Sequence, residues 1–177
     1  MAQPRWGWHQ LADDWAWRLV VAAGVAPGDL VLDLGAGTGA LTAPLVRAGA
    51  RVVAFELHPG RAAALRSRFR AEPVKVVQAD VADLRLPRRP FCVVANPPFA
   101  ATTAVLRRLL ARGSMLQSAD LVLPRYAAAR WASGRGPDSN RWLRLYEVQM
   151  SRDIPHTAFR PAPPGATAVL RIRRRTR

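Results

Sequence analysis

The chain has 177 residues, half of them hydrophobic, a mean hydropathy of -0.04 and a net charge of +15 from 27 basic against 12 acidic side chains. That length and balance support one globular domain with a full core, exclude a disordered chain, and leave no apolar run long enough to span a bilayer. The single cysteine, Cys92, excludes an internal disulfide and, with three scattered histidines, gives no metal-ligand cluster, so no metal is expected and a reducing cytoplasm is.

In chain order, residues 10–23 predict a helix with Leu11, Trp15, Leu19 and Ala22 on one face, stopped by Pro27-Gly28. Trp6 and Trp8 precede it; covering a cofactor, stacking on RNA bases and stapling the helix are all open to them, while Trp15 and Trp17 read as packing residues. Trp6, Trp8, Asp13 and Asp14 stand where an export signal would be apolar. Strands and helices then alternate: strand 30–34, helix 39–48, strand 51–56, helix 60–69, strand 74–77, a polar segment 80–90, strand 91–95, helix 102–112, strand 119–123 and helix 125–131. Such alternation predicts a parallel sheet with helices on both faces and ligands gathered at the carboxyl ends of the strands. Residues 132–140 read as a flexible surface loop. Residues 143–150 and 166–172 predict two closing strands, with antiparallel pairing, that bring the sheet to seven.

Charge points to a polyanionic partner, RNA above others. Only Lys75 is lysine, and arginine both stacks on bases and grips phosphate with two donors. Arg171, Arg173, Arg174, Arg175 and Arg177 form a basic tail over 171–177 that reads equally as an RNA contact or as a frayed end, and the body remains basic without it.

Three motifs fall at successive strand ends. Asp33-Leu34-Gly35-Ala36-Gly37-Thr38-Gly39 lies between a strand and a helix, the parts of a nucleotide-binding crevice. Glu56, about 20 residues on, stands where a ribose diol is held. The spacing is G-x-G-x-G rather than G-x-G-x-x-G, and no cation in the turn would meet a pyrophosphate. That favours S-adenosylmethionine (SAM) over a dinucleotide. Asp80 closes the third strand, where a carboxylate can accept from an adenine amino group; a turn-capping role is nearly as good for it alone. Asn96-Pro97-Pro98-Phe99 then follows the apolar run 91–95. The Asn96 side-chain oxygen and the Pro97 carbonyl can accept both hydrogens of a ring amino group, Phe99 can lie on the ring face, and the two prolines stiffen the turn.

With these motifs in place the chain resembles the rRNA adenine-N6 methyltransferases, the family of the Erm resistance enzymes and the KsgA-type dimethyltransferases. The resemblance runs from about Gly7 to Ile172. Asp33 to Gly39 is similar to the family's SAM loop, Glu56 to its ribose acid, Asp80 to its adenine acid and Asn96 to Phe99 to its catalytic turn. Thr157 to Pro164 with Thr167 to Ile172 resembles the F-x-P-x-P ending and final strand. The resemblance implies one Rossmann-like SAM-dependent methyltransferase domain over 1–177, with residues 1–28 as an N-terminal segment and helix. It implies Asn96, Pro97 and Phe99 as catalytic residues. His9, Leu11, Asp33, Gly35, Gly37, Gly39, Glu56, Leu57, Asp80, Val81 and Asn96 are the implied cofactor contacts. Pro97 takes the place of a branched apolar residue, and Trp8 that of a glutamine. The chain ends soon after the final strand, most like the short mycobacterial Erm type, which implies no C-terminal helical domain and RNA gripped by the basic body; a monomer is the default expectation. The implied reaction is N6-methylation of an adenine in 23S rRNA with macrolide-lincosamide-streptogramin resistance. A 16S rRNA dimethyltransferase, a DNA adenine or protein glutamine methyltransferase and a SAM-retaining RNA-binding assembly factor remain the rivals.

Overall fold

A computed structural model describes residues 8–176; the expectations attached to Trp6, Gly7 and Arg177 lie outside the described residues. The chain forms β1 (Gln10–Leu11), α1 (Asp13–Ala23), β2 (Leu30–Leu34), α2 (Thr42–Arg47), β3 (Arg51–Phe55), α3 (Pro59–Arg68), β4 (Val74–Val77), β5 (Phe91–Ala95) and α4 (Thr102–Leu109). Then come β6 (Leu116–Pro124), α5 (Arg125–Ala132), a short α6 (Ser139–Trp142), β7 (Tyr146–Ile154), β8 (Phe159–Arg160) and β9 (Thr167–Arg174). The main sheet has seven strands in the order β4-β3-β2-β5-β6-β9-β7. Neighbours from β4 to β6 pair in parallel, and β9 pairs antiparallel with both β6 and β7.

Side-chain alternation explains why the sheet carries helices on both faces. Leu32 and Leu34, Phe91, Val93 and Ala95, and Leu121 and Leu123 point to one face, where Val105, Leu106 and Leu109 of α4 and Ala128 and Trp131 of α5 cover them. Val31, Val94, Val122 and Val169 point to the other, beneath Ala16, Leu19 and Val20 of α1, Leu45 of α2 and Leu65 of α3. Strand order reverses at β2: the chain moves outward through β3 and β4, then returns to β5 on the opposite side of β2. The carboxyl ends of β2 and β5 therefore flank a crevice.

Four local expectations are corrected. Residues 10 and 11 are not helical. Gln10 pairs with Arg160 and Leu11 with Phe159, the Ala12 N–H donates to the Ala158 carbonyl at 2.8 Å, and the helix begins only at Asp13. A long-range pair of strands thus overrides the apolar spacing of Leu11. Trp17 is 45% exposed, with the Arg47 guanidinium 5.6 Å from its ring, while Trp15 packs against the core. The loop 132–140 is pinned rather than free. A Cβ on Gly136 would stand 2.5 Å from the Trp131 ring, Trp142 Nε1 donates to the Pro137 carbonyl at 2.8 Å, and Ser139 already opens α6.

The basic tail is the fourth. Residues 171–174 belong to β9. Asp120, fully buried on β6, accepts a hydrogen bond from Arg171 Nε at 2.9 Å through Oδ1 and forms an ion pair with Arg173, whose Nη2 lies 2.7 Å from Oδ2. Arg171 also donates to the Ala22 carbonyl at the end of α1, and Arg174 to Leu116, Ser114 and the Tyr146 hydroxyl. Much of the tail's hydrogen-bonding capacity is therefore used inside the fold.

Candidate active site

Four strand ends bring the motif residues into one row along the carboxyl edge: Asp80 beyond β4, Glu56 beyond β3, Gly35 beyond β2 and Asn96 beyond β5. All four line a single cavity of about 710 Å³. That is within the size range of small-molecule sites, roughly 300–1,000 Å³. Leu57, Val81, His9, Pro97 and Phe99 also line it, with Trp8 and Arg61.

The turn after β2 takes positive φ at Gly35 (78°) and Gly37 (59°). Gly35 is needed twice over, because a Cβ there would meet Pro98 Cδ at 2.9 Å. The glycine turn and the Asn96 turn are packed against each other, and only a bare backbone allows it. The N–H groups of Gly35 and Ala36 both donate to the Phe55 carbonyl at 2.9 Å, which holds the turn on the end of β3.

Glu56 is 3% exposed. Its Oε2 accepts from the Gly37 N–H at 2.8 Å, and its Oε1 accepts from the His58 N–H at 2.8 Å and Arg61 Nη2 at 3.1 Å. A carboxylate offers about four acceptor positions, so one on Oε2 is left for a ligand hydroxyl. Asp80 caps the short turn Val81–Asp83 through Oδ1, which accepts from the Ala82 N–H at 2.9 Å, and still lines the cavity. Capping this turn through Oδ1 leaves Oδ2 of Asp80 outside the cap. Leu57, 41% exposed, and the buried Val81 are apolar side chains in the cavity wall. Together they suit the faces of a planar base.

Asn96 is half-buried, and its Nδ2 donates to the His9 carbonyl at 2.7 Å. A carbonyl only accepts, so this bond fixes which end of the amide is which and leaves Oδ1 as the acceptor for the cavity. The His9 ring stacks on Phe99, centroids 5.6 Å apart and planes at 28°, and its Nδ1 donates to the Pro161 carbonyl at 3.0 Å. His9 thus clamps the N-terminal segment, the Asn96 turn and the proline-rich ending together; Pro161, Ala162 and Pro164 complete the cavity on that side with Ala100, Ala101 and Ala104.

Not every anticipated residue reaches this cavity. Asp33 and Leu11 are buried and border only a narrow neighbouring crevice with Trp8 and Asn96. Asp33 Oδ2 accepts from the Thr42 hydroxyl at 2.7 Å. Burial pushes its carboxyl up from 3.8 to about 7; the Thr42 bond opposes this and the charge of Glu56 adds to it. Gly37 offers its N–H to Glu56 rather than to the cavity, and Gly39 is required by Phe69, whose ring lies 2.8 Å from where a Cβ would be. These residues shape the crevice from behind. Sequence reasoning missed Arg61, which reads as an ordinary exposed position of a helix, and the small residues 100, 101 and 104. The prolines at 161 and 164 were visible as a motif but not as cavity wall. Among the described residues no cluster of three or more histidine, cysteine or acidic side chains is disposed to hold a metal ion, and no helix is long and apolar enough to cross a membrane.

A doubly wound sheet with a glycine turn, a buried acid on the next strand and an Asn-Pro-Pro-Phe turn beside it defines a Rossmann-like domain of the SAM-dependent methyltransferase type. The family profile of ribosomal RNA adenine dimethylases matches residues 11–177, and the chain belongs to that family. An rRNA adenine N-6-methyltransferase of Corynebacterium diphtheriae is 32% identical over 147 residues, covering 81% of this chain and 57% of its own. An rRNA methyltransferase of Streptomyces thermotolerans is 36% identical over 166 residues, 89% of this chain and 54% of its own. The crystal structure of the 23S rRNA methyltransferase ErmE superposes with a TM-score of 0.82 at 28% identity, over 92% of this chain and 68% of that one. The chain spans little more than half the length of these curated relatives.

Proposed function

We propose that the chain transfers a methyl group from SAM to N6 of an adenine in 23S rRNA, the modification that confers macrolide-lincosamide-streptogramin resistance, acting as a monomer in the cytoplasm. One observation carries this reading: the Asn96 amide is pinned through Nδ2, so that its oxygen is the group offered to the cavity beside the glycine turn. Glu56 suits the ribose, Asp80 the adenine amino group, and Leu57 and Val81 the adenine faces. SAM supplies a methyl group made electrophilic by its sulfonium.

The residues of the chain prepare the acceptor. An adenine amino group is a poor nucleophile because its lone pair is delocalised into the ring. Two acceptors, Asn96 Oδ1 and the Pro97 carbonyl, draw the nitrogen toward tetrahedral geometry and stabilise the positive charge that grows on it. Phe99 offers one ring face to a base taken out of its stack, the other being held by His9. No strong general base is required, since the methylated nitrogen is acidic and loses its proton late. Alignment of the reacting atoms contributes the rest of the rate.

Tritiated SAM incubated with protein-free 23S rRNA, 16S rRNA, DNA and protein tests the proposal. Label confined to 23S rRNA, at adenine N6, supports it. Label in 16S rRNA makes the chain a small-subunit enzyme, label in DNA or protein overturns the RNA assignment, and RNA binding without label leaves an assembly factor.

A further inference from the structure

Arg61 is a cation in the wall of the cavity, bonded to the acid proposed to hold ribose. Its guanidinium lies 5.2 Å from the centroid of the Trp8 ring. The same indole presses on the glycine turn, with Nε1 2.6 Å from where a Cβ on Gly37 would be. Trp8 therefore bridges from the turn after β2 to the first turn of α3, touching Gly37 and Arg61, which both donate to Glu56. Beneath it, Arg61 Nε is shut off from solvent without a hydrogen-bond partner. A buried donor without a partner is costly, and more so when it belongs to a charged group. The acid beside it keeps one unused acceptor position on Oε2. A free donor next to a free acceptor complements a hydroxyl group, which both gives and takes a hydrogen bond.

Resting on the SAM-binding reading above, we propose that Arg61 is a further cofactor-positioning residue and Trp8 its cover. A ribose hydroxyl donates to Glu56 Oε2 and accepts from Arg61 Nε–H. Trp8 leaves the guanidinium as the nucleoside enters and closes again over it. Arg61 acts in two ways: it holds Glu56 in place through Oε1, and it offers an Nε–H that no group among the described residues accepts.

Binding of SAM, S-adenosylhomocysteine and adenosine is measured by calorimetry on the wild-type chain, Arg61→Leu, Arg61→Lys and Trp8→Phe, with thermal melts as a folding control. The expected result is a loss of about tenfold or more for all three ligands in Arg61→Leu at an unchanged melting temperature, a smaller loss in Arg61→Lys, and a rise in KM for SAM that exceeds the fall in kcat. The wild-type chain changes tryptophan fluorescence on adding adenosine, and Trp8→Phe loses that change. Wild-type binding with Arg61→Leu within twofold of it, or tighter, overturns the inference. So does a loss confined to the two ligands that carry the amino-acid end, since Arg61 would then not meet the ribose. Failure of the wild-type chain to bind SAM at all overturns instead the cofactor assignment on which this inference stands.

Discussion

The side-chain nitrogen of Asn96 donates to the main-chain carbonyl of His9 at 2.7 Å, joining positions 87 residues apart. Through this bond the backbone of the N-terminal segment orients the amide, and the ring of the same His9 backs Phe99. Asn96→Ala is expected to lower turnover by at least about a hundredfold, since preorganised acceptors at a developing charge carry effects of that size, while SAM affinity changes little. Single-turnover rates and calorimetry measure the two separately. Equal loss of both would make Asn96 a structural residue.

Phe99 needs its ring more than any polar group, and His9 supports it. Phe99→Ala is expected to weaken target binding by roughly 1–3 kcal/mol, the range for base-aromatic stacking, and Phe99→Tyr to retain activity. His9→Ala keeps the carbonyl that orients Asn96 but loses the stack and the bond to Pro161. Its defect should therefore resemble that of Phe99→Ala in kind and be smaller. Fluorescence of 2-aminopurine at the target position reads base extrusion directly.

Asp33 gives stability a pH dependence with a definite sign. Its carboxyl is raised by burial from 3.8 to about 7 in the folded chain. Between those values the folded state holds a proton that the unfolded chain has released, so this contribution falls as pH rises through the window and is gone above the folded value. Urea denaturation at about pH 5 and about pH 8 should show lower stability at the higher pH from this group. Asp33→Asn, neutral throughout and still able to accept from Thr42, should flatten that part of the profile.

Asp120 is buried between two arginines of the last strand. Asp120→Ala would leave two half-buried guanidinium groups without their carboxylate, at a cost of about 3–5 kcal/mol. Its urea midpoint should fall accordingly. An unchanged midpoint would mean that the arginines find other partners.

RNA binding should fall steeply with salt, because a surface with net charge +15 displaces counterions from phosphate. The logarithm of the binding constant should decline linearly with that of the salt concentration, and Arg174→Gln should leave the slope unchanged because its donors are spent on Ser114, Leu116 and Tyr146. A nearly flat plot would contradict an electrostatic grip.

Local periodicity was enough for the alternation of strands and helices, and glycine, proline and acidic punctuation was enough for the crevice, because β2, β3 and β5 are short apolar runs followed at once by turn residues whose backbone needs are local. The closing of the site was not legible. Leu11 suits a helix face by spacing, but its pairing with Phe159 depends on a segment about 150 positions away. The arginines of residues 171–174 look like a tail until β9 is laid against Asp120. Arg61 looks like an exposed helix residue until Trp8 lies over it. Sequence by itself determined which chemical groups stand at the ends of which strands, since backbone conformation and side-chain alternation are set by near neighbours. Tertiary structure alone decided which of them share a cavity, which way the Asn96 amide faces and which charges are spent internally, because those depend on contacts between segments that only the finished sheet brings together.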